Sequence, residues 1–360
     1  MERCIELAKK GAGYVSPNPL VGCVIVKNGK IVAEGYHKKF GQPHAEVNAI
    51  RNTNRRRINL EGGELYVNLE PCYHCGKTPP CVNEIIRNKF KRVVIGIRDP
   101  NPLVNGKSIK KIKRHKYRVT EGVLKSECED LNKFFLKYIR TGLPYITLKA
   151  AVTLDGKIAD EKHRSKWVSS YQSRKLVHKL RSEYDAVLVG RNTVEYDNPS
   201  LTVRHVKGRN PYRIIIDKNL KLDLKKKIFS EESTNKTIVL ISSNSKPKRI
   251  KDLKKRGITL IDCKTKNGKL YLKDALKKLG KIGMSSVLVE GGAVTYSEFL
   301  KQKLVDELIM FIAPKKMGKG IDAFKEKDLH FNKLKHITVK DVGRDVMIKI
   351  KLDSHFRGNG

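Results

Sequence analysis

The sequence lacks any long apolar run. Its longer ones, such as VGCVIV and DAVLVG, are strand-sized and far short of the ~20 residues that cross a bilayer, which excludes a helical membrane span. Met1–Lys10 carries charge without an apolar core, so no secretory leader is expected there. Cysteine is too sparse and irregular for a disulfide framework: there are seven, an odd number, and a reduced, cytoplasmic protein is the expectation. Aromatic residues are only 7% and do not alternate with basic ones as a base-stacking surface would. No G-x-G-x-x-G occurs, no internal repeat and no low-complexity linker, so a Rossmann dinucleotide fold is not indicated.

Acidic residues are also in deficit, 37 against 76 Lys+Arg, for a formal charge of +39. That balance, with the runs RNTNRRRIN at 51–59 and KSIKKIKRHKYR at 107–118, invites a nucleic-acid reading. Lysine is nevertheless spread along nearly the whole chain. A Lys-rich surface that also draws in anionic substrates is the preferred reading, and nucleic acid is not an expected partner.

What is present is strand–helix alternation, twice over. Leu20–Gly35 reads as a hairpin turning at Asn28-Gly29. A helix is expected from His44, a strand over Glu64–Leu69, a helix over Val82–Asn88, a strand over Arg92–Ile97 and a helix over Lys125–Arg140. Thr141-Gly142-Leu143-Pro144 breaks that helix. Further strands are expected at Tyr145–Val152, Ala186–Gly190, Tyr212–Asp217, Thr237–Ser242, Ser286–Glu290 and Glu307–Ala313. Helices fall at Ser173–Glu183 and Thr295–Leu300, and a closing hairpin in ITVKDVGRDVMIKIKL. The fold class is α/β, with domains over 1–143 and 144–353 and a tail over 354–360.

Chemistry concentrates in His44-Ala45-Glu46 and Glu70-Pro71-Cys72-Tyr73-His74-Cys75-Gly76-Lys77-Thr78-Pro79-Pro80-Cys81. A histidine, a glutamate two residues on and a Pro-Cys with a second cysteine form the zinc-deaminase pattern. Neutral imidazole and thiolates suit zinc, with a fourth position left for water, and a nearby carboxylate that is not a ligand moves the proton. Glu46 is that carboxylate. The second thiol is Cys75 or Cys81. Gly76 and the prolines stop a helix from running on after Cys75, whereas Pro80 suits a first helical position and puts Cys81 at a helix start, the better place for a thiolate.

SPNPLVGCVIV, the spaced HAE, EPCYHCGKTPPC and RDPNPLVNGKSI resemble the deaminase half of the bifunctional riboflavin-biosynthesis family. The resemblance implies a cytidine-deaminase-like domain with Zn2+ on His44, Cys72 and Cys81, and leaves Cys75 a bystander. His74 is open between substrate contact and loop support, and Asn18 between a place near the pyrimidine and a plain turn. Cys23 reads as core packing.

Lys149–Lys157, Trp167–Ser170, Gly190–Arg204 and Val289-Glu290-Gly291-Gly292 resemble the same family's reductase half, similar in fold to dihydrofolate reductase. By this resemblance Ala151, Trp167, Thr193, Asp197, Gly291 and Gly292 line an NADPH site. Arg181 and Arg204 hold a substrate 5′-phosphate with Ser165 and Leu201 nearby, Glu290 touches the substrate, and Lys149 lies close to the reacting sugar. Guanidinium forks suit that anion. Read singly, these residues have blander roles: a core tryptophan, a turn aspartate, surface arginines. Lys315-Lys316-Met317 and the Lys-rich 218–245 depart from the family and are expected on loops or the surface.

The implied function is two consecutive steps: deamination of 2,5-diamino-6-ribosylamino-4(3H)-pyrimidinone 5′-phosphate, then reduction of its ribosyl chain to ribityl. A homo-oligomer is implied as well. The rivals are a zinc deaminase of tRNA bases and an RNA-binding protein with structural zinc. Neither has a use for Asp197, the VEGG strand or the two arginines.

Overall fold

The computed structural model describes residues 1–54, 57–73, 79–165, 168–230, 234–243, 245, 247–324 and 335–352. His74, Cys75, Trp167 and the tail over 354–360 lie outside them. The chain forms two compact units, Met1–Gly142 and Leu143–Gly360. Among the described residues no helix is long and apolar enough to cross a membrane.

In the N-terminal unit, α1 (Glu2–Lys9) precedes β1 (Gly22–Lys27), β2 (Lys30–Tyr36), α2 (Ala45–Asn54) and β3 (Glu64–Leu69). Then come α3 (Cys81–Arg87), β4 (Arg92–Ile97), α4 (Lys107–Arg114), β5 (Arg118–Glu121), α5 (Lys125–Leu131) and α6 (Lys133–Thr141). The five strands lie in the order β2-β1-β3-β4-β5. The β1–β2 hairpin and the β1–β3 pair are antiparallel, and β3, β4 and β5 run parallel. Asn28 and Gly29 make the hairpin turn at φ 51° and 73°, the left-handed values that an Asn-Gly turn supplies cheaply.

Gly35 of β2 determines where α2 can lie. A Cβ there would stand 2.4 Å from both Ala45 O and Ala49 N, so only glycine lets the helix settle onto the strand. That contact seats the helix start carrying His44 and Glu46. Ile25, Leu65, Val67, Val93 and Ile95 fill the core beneath, and Cys23 is buried among them.

One reading changes here. The helix expected over Lys125–Arg140 is two helices, broken at Asn132 (φ −102°, ψ 15°). The buried Asn132 side chain accepts the Leu20 N–H at 2.8 Å and donates to Leu20 O at 3.0 Å, tying the break to the segment before β1. The basic run 107–118 contains α4, whose Ser108, Ile109 and Ile112 are buried while its cations face outward.

The C-terminal unit opens with β6 (Tyr145–Thr153), β7 (Lys157–Ala159), α7 (Tyr171–Glu183), β8 (Ala186–Gly190), α8 (Arg191–Asp197) and β9 (Tyr212–Ile216). It continues through α9 (Lys227–Ser230), β10 (Thr237–Ile241), α10 (Pro247–Lys255), β11 (Thr259–Asp262), β12 (Thr265–Lys266) and β13 (Lys269–Leu270). It closes with α11 (Leu272–Lys281), β14 (Ser286–Val289), α12 (Ala293–Lys301), β15 (Glu307–Ala313), β16 (Ile321–Asp322), β17 (Lys335–Val342) and β18 (Asp345–Lys351).

Nine strands run β11-β10-β9-β8-β14-β6-β15-β18-β17. The first seven pair in parallel, and β18 and β17 add an antiparallel edge. Continuous apolar runs such as AVLVG and SVLV fit strands covered on both faces. The polar segment 218–245 is only partly surface: β10 is buried along its whole length, and Ile228 and Phe229 are buried with it. Met317 lies on a loop and, with Gly318, donates its N–H to Asp155.

Candidate active sites

In the N-terminal unit, His44 directly precedes α2, Cys72 follows β3 after Glu70-Pro71, and Cys81 opens α3 with Pro80 one residue outside as its N-cap. His44 Nδ1 lies 3.5 Å from Cys72 Sγ and 3.3 Å from Cys81 Sγ. Zn–S bonds of about 2.3 Å and a Zn–N bond of about 2.0 Å would set tetrahedral N···S edges at about 3.6 Å, so the donor set fits zinc. Among the described residues this is the group of three whose donor atoms converge, all within 4.8 Å of one another.

Glu46 is 2% exposed and its Oε2 has no hydrogen-bond partner among the described residues, while its carboxyl approaches Cys81. Burial pushes its pKa up to about 7, against the pull of His44. Cys81, expected at a helix start, stands there with its thiol in the cluster. The N–H that opens α3, that of Cys81 itself, donates to Cys72 Sγ at 3.2 Å. The Cys81 thiol, then the His44 ring, hold the Cys72 thiol below its usual range, and the Cys72 sulfur and burial push Cys81 up.

The surroundings fix the loop. Glu70, buried, accepts the N–H groups of Asp99 (3.3 Å), Gly106 (2.9 Å) and Ile109 (3.4 Å), capping α4, whose own N-cap Gly106 has no side chain to do so. Ser108 Oγ donates to Pro71 O at 2.6 Å, so α4 clamps the Cys72 segment. His37, missed in the sequence, is 2% exposed and stands edge-on to His44 with centroids 5.2 Å apart. Its Nδ1 faces Pro43 O at 3.2 Å and must donate, because a carbonyl only accepts; Nε2 then accepts from Asn18 Nδ2 at 3.3 Å. Asn18 is thus one histidine away from the cluster. His37's only signal was its position shortly before HAE.

The C-terminal unit gathers Lys149, Arg181 and Glu290, from β6, α7 and the end of β14. Arg181 Nε and Nη2 donate to Glu290 at 2.6 and 2.9 Å, and Lys149 Nζ lies 3.1 Å from the same carboxylate. Burial alone would raise Glu290, but Arg181 and then Lys149 overrule it and hold it at about 2. Arg181 Nη1 also donates to Thr202 O at 3.1 Å. The arginine expected at a phosphate is therefore already engaged on two sides. Arg204 is exposed, with Nη1 on Thr202 Oγ1 at 2.9 Å. Leu201, between the two, is buried at φ 54°. Ser165 Oγ donates to Asp197 at 2.8 Å. Ala151 lies two residues beyond Lys149 on β6, hence on the same face.

The ends of β8 and β14, adjacent and parallel, lead through Gly190 to α8 and through Gly291-Gly292 to α12. A Cβ on Gly291 would stand 2.8 Å from Thr193 Oγ1 and 3.0 Å from Val189, and Gly292 sits at φ 64° with no side-chain cap for α12. A helix start without a side-chain cap among the described residues, with glycine backbone before it, fits a cofactor phosphate.

Residues 1–97 match the cytidine and deoxycytidylate deaminase zinc-binding region, and residues 144–348 match the RibD C-terminal domain. Riboflavin biosynthesis protein RibD of Aquifex aeolicus is 43% identical over 358 residues, 98% of this chain and 97% of its own. The Escherichia coli protein of that name is 37% identical over 97% of this chain and 98% of its own. The crystal structure of a diaminohydroxyphosphoribosylaminopyrimidine deaminase/5-amino-6-(5-phosphoribosylamino)uracil reductase from Thermotoga maritima superposes with a TM-score of 0.87. It is 41% identical, covering 98% of this chain and 97% of that one.

Fold and sites define a class: a zinc deaminase domain of cytidine-deaminase type, followed in the same polypeptide by an α/β reductase domain. The chain belongs to the RibD family, the bifunctional deaminase/reductases of riboflavin biosynthesis, and its cofactors are Zn2+ and NADPH. That membership favours the bifunctional reading over the tRNA deaminase and the RNA-binding protein.

Proposed function

We propose that His44, Cys72 and Cys81 hold the zinc, and that the N-terminal domain removes the 2-amino group of 2,5-diamino-6-ribosylamino-4(3H)-pyrimidinone 5′-phosphate. Zinc bound there supplies the Lewis acidity that makes water a nucleophile near neutral pH. Glu46 takes the proton from the attacking water and delivers it to the departing amine, so that ammonia leaves and a carbonyl remains at C2. Burial raises this carboxyl's pKa, which suits a group that must carry a proton. Asn18, held by His37, would orient the ring.

The C-terminal domain would reduce the resulting 5-amino-6-(5-phosphoribosylamino)uracil. NADPH supplies the hydride to the ribosyl carbon. Ala151, Trp167, Thr193, Asp197, Gly291 and Gly292 would line its site. Lys149 and Glu290 would meet the sugar, and Arg204 and Arg181, near Ser165 and Leu201, would meet the phosphate. The same reading includes a homo-oligomer, supported by exposed Ile337 and Val339 on the edge strand β17, and a cytoplasmic setting that keeps the zinc thiols reduced.

The observation that carries the deaminase reading is the buried Glu46 oxygen, without a partner among the described residues, beside the His44–Cys72–Cys81 group. Replacing Glu46 with Gln should cut deamination by about 100- to 10,000-fold. Zinc content and reduction of the pre-deaminated substrate should stay unchanged. Wild-type deamination by that variant would end the assignment.

A further inference from the structure

One buried histidine of the C-terminal domain was absorbed by none of the roles above. His178 is 5% exposed, on the face of α7 that also carries Arg181 one turn later. Its Nδ1 lies 3.0 Å from the Arg204 main-chain nitrogen, which is a donor, so Nδ1 is the unprotonated, accepting nitrogen of the ring. Arg181 meanwhile donates to the carbonyl of Thr202. Two side chains of one helix face thus take an acceptor and a donor from the main chain over 202–204, and fix that segment in register with α7. His205 packs edge-on against the His178 ring at 4.5 Å, and Tyr171 edge-on against His205 at 5.5 Å, closing the segment from its far side.

We infer that His178 is a positioning residue of the reductase: its Nδ1 lone pair holds the Arg204 main chain, and so sets where the Arg204 guanidinium meets the substrate's 5′-phosphate. This rests on the proposal that Arg204 is a phosphate ligand. Arg204 is exposed, and apart from its bond to Thr202 Oγ1 its direction depends on where its main chain is fixed. The ring is suited to its task. Burial, then Arg181 and the neighbouring His205 and Arg204, lower its pKa to about 4, so the lone pair stays available throughout the neutral range. Nothing else in the proposed chemistry calls for a neutral imidazole at this place.

The test uses the full-length, zinc-loaded protein with NADPH, and 5-amino-6-ribosylaminouracil with and without its 5′-phosphate. The variants are His178→Leu, His178→Gln, His178→Asn and Arg204→Gln. Asn places an acceptor where Nδ1 was; Gln keeps the polarity but moves the acceptor outward, and serves if the leucine variant fails to fold. Loss of the bond in His178→Leu and His178→Gln should raise KM for the phosphorylated substrate about five- to twentyfold, with kcat changed less than about twofold. KM for the unphosphorylated compound should not move, and His178→Asn should recover most of the loss. NADPH binding and deamination by the same preparations should match the wild type, which a general loosening of the fold would not allow. If both acceptor-deficient variants keep the wild-type preference for phosphate while Arg204→Gln abolishes it, the inference about His178 is overturned. If Arg204→Gln also leaves the preference intact, Arg204 is no phosphate ligand and the underlying reading falls first.

Discussion

Replacing Arg181 with Met removes a fork that makes two short bonds to a carboxylate whose side chain is 4% exposed. Glu290 is left buried, with Lys149 as its remaining counter-charge among the described residues. Removing one partner of a buried ion pair costs about 3–5 kcal/mol, and the remaining lysine places this case at the lower end, about 3 kcal/mol. Linkage gives the same scale. Glu290 ionises at about 2 rather than at 4.5, and each pKa unit corresponds to about 1.4 kcal/mol, so its ionised form contributes about 3 kcal/mol. The sign follows from the depressed value: this stabilisation is complete above pH 4.5 and is lost as pH falls toward 2. Circular dichroism follows the unfolding. In urea at pH 7, Arg181→Met should lower the midpoint by about 1 M. The mutant should also lose less of its remaining stability than wild type between pH 4.5 and pH 3. A midpoint unchanged at pH 7, with the acid sensitivity of wild type intact, would refute the claim that Arg181 keeps Glu290 ionised.

Two further perturbations address the N-terminal domain. Cys75→Ser should retain one zinc per chain by elemental analysis and full deamination, whereas Cys72→Ser and Cys81→Ser should each lose both; zinc loss in the Cys75 variant would reinstate the shorter ligand spacing. Asn132→Ala removes two bonds to the Leu20 main chain. It should cost about 1–3 kcal/mol in thermal unfolding and raise KM for deamination by loosening the segment that carries Asn18.

Much of this was legible in the residues, for physical reasons. Glu64–Leu69 announces itself by alternation, and Arg92–Ile97 and Ala186–Gly190 because a covered parallel strand is apolar along most of its length. The ligand motif was readable because zinc chemistry restricts residue types and a Pro-Pro pair restricts where a helix can begin. What escaped depends on contacts distant in sequence. The break at Asn132 is made by Leu20, more than a hundred positions away, and nothing in LNKFF signals it. Helix α4 was hidden because five lysines and arginines obscure the spacing of Ile109 and Ile112. His37 and His178 carry no motif; each gains its role from the carbonyl or N–H group that its ring meets. The bidentate lock of Arg181 on Glu290 was equally invisible, since two charges on separate elements reveal nothing about their pairing.

The central claim is that one chain carries out both steps in order. Its most direct test is mass spectrometry of the products formed by the purified, zinc-loaded protein from the diaminopyrimidine ribosyl phosphate, with and without NADPH. The account predicts the deaminated ribosyl compound without NADPH and the deaminated ribityl compound with it. Unchanged substrate in both reactions, or a ribityl product that still carries the 2-amino group, would contradict it.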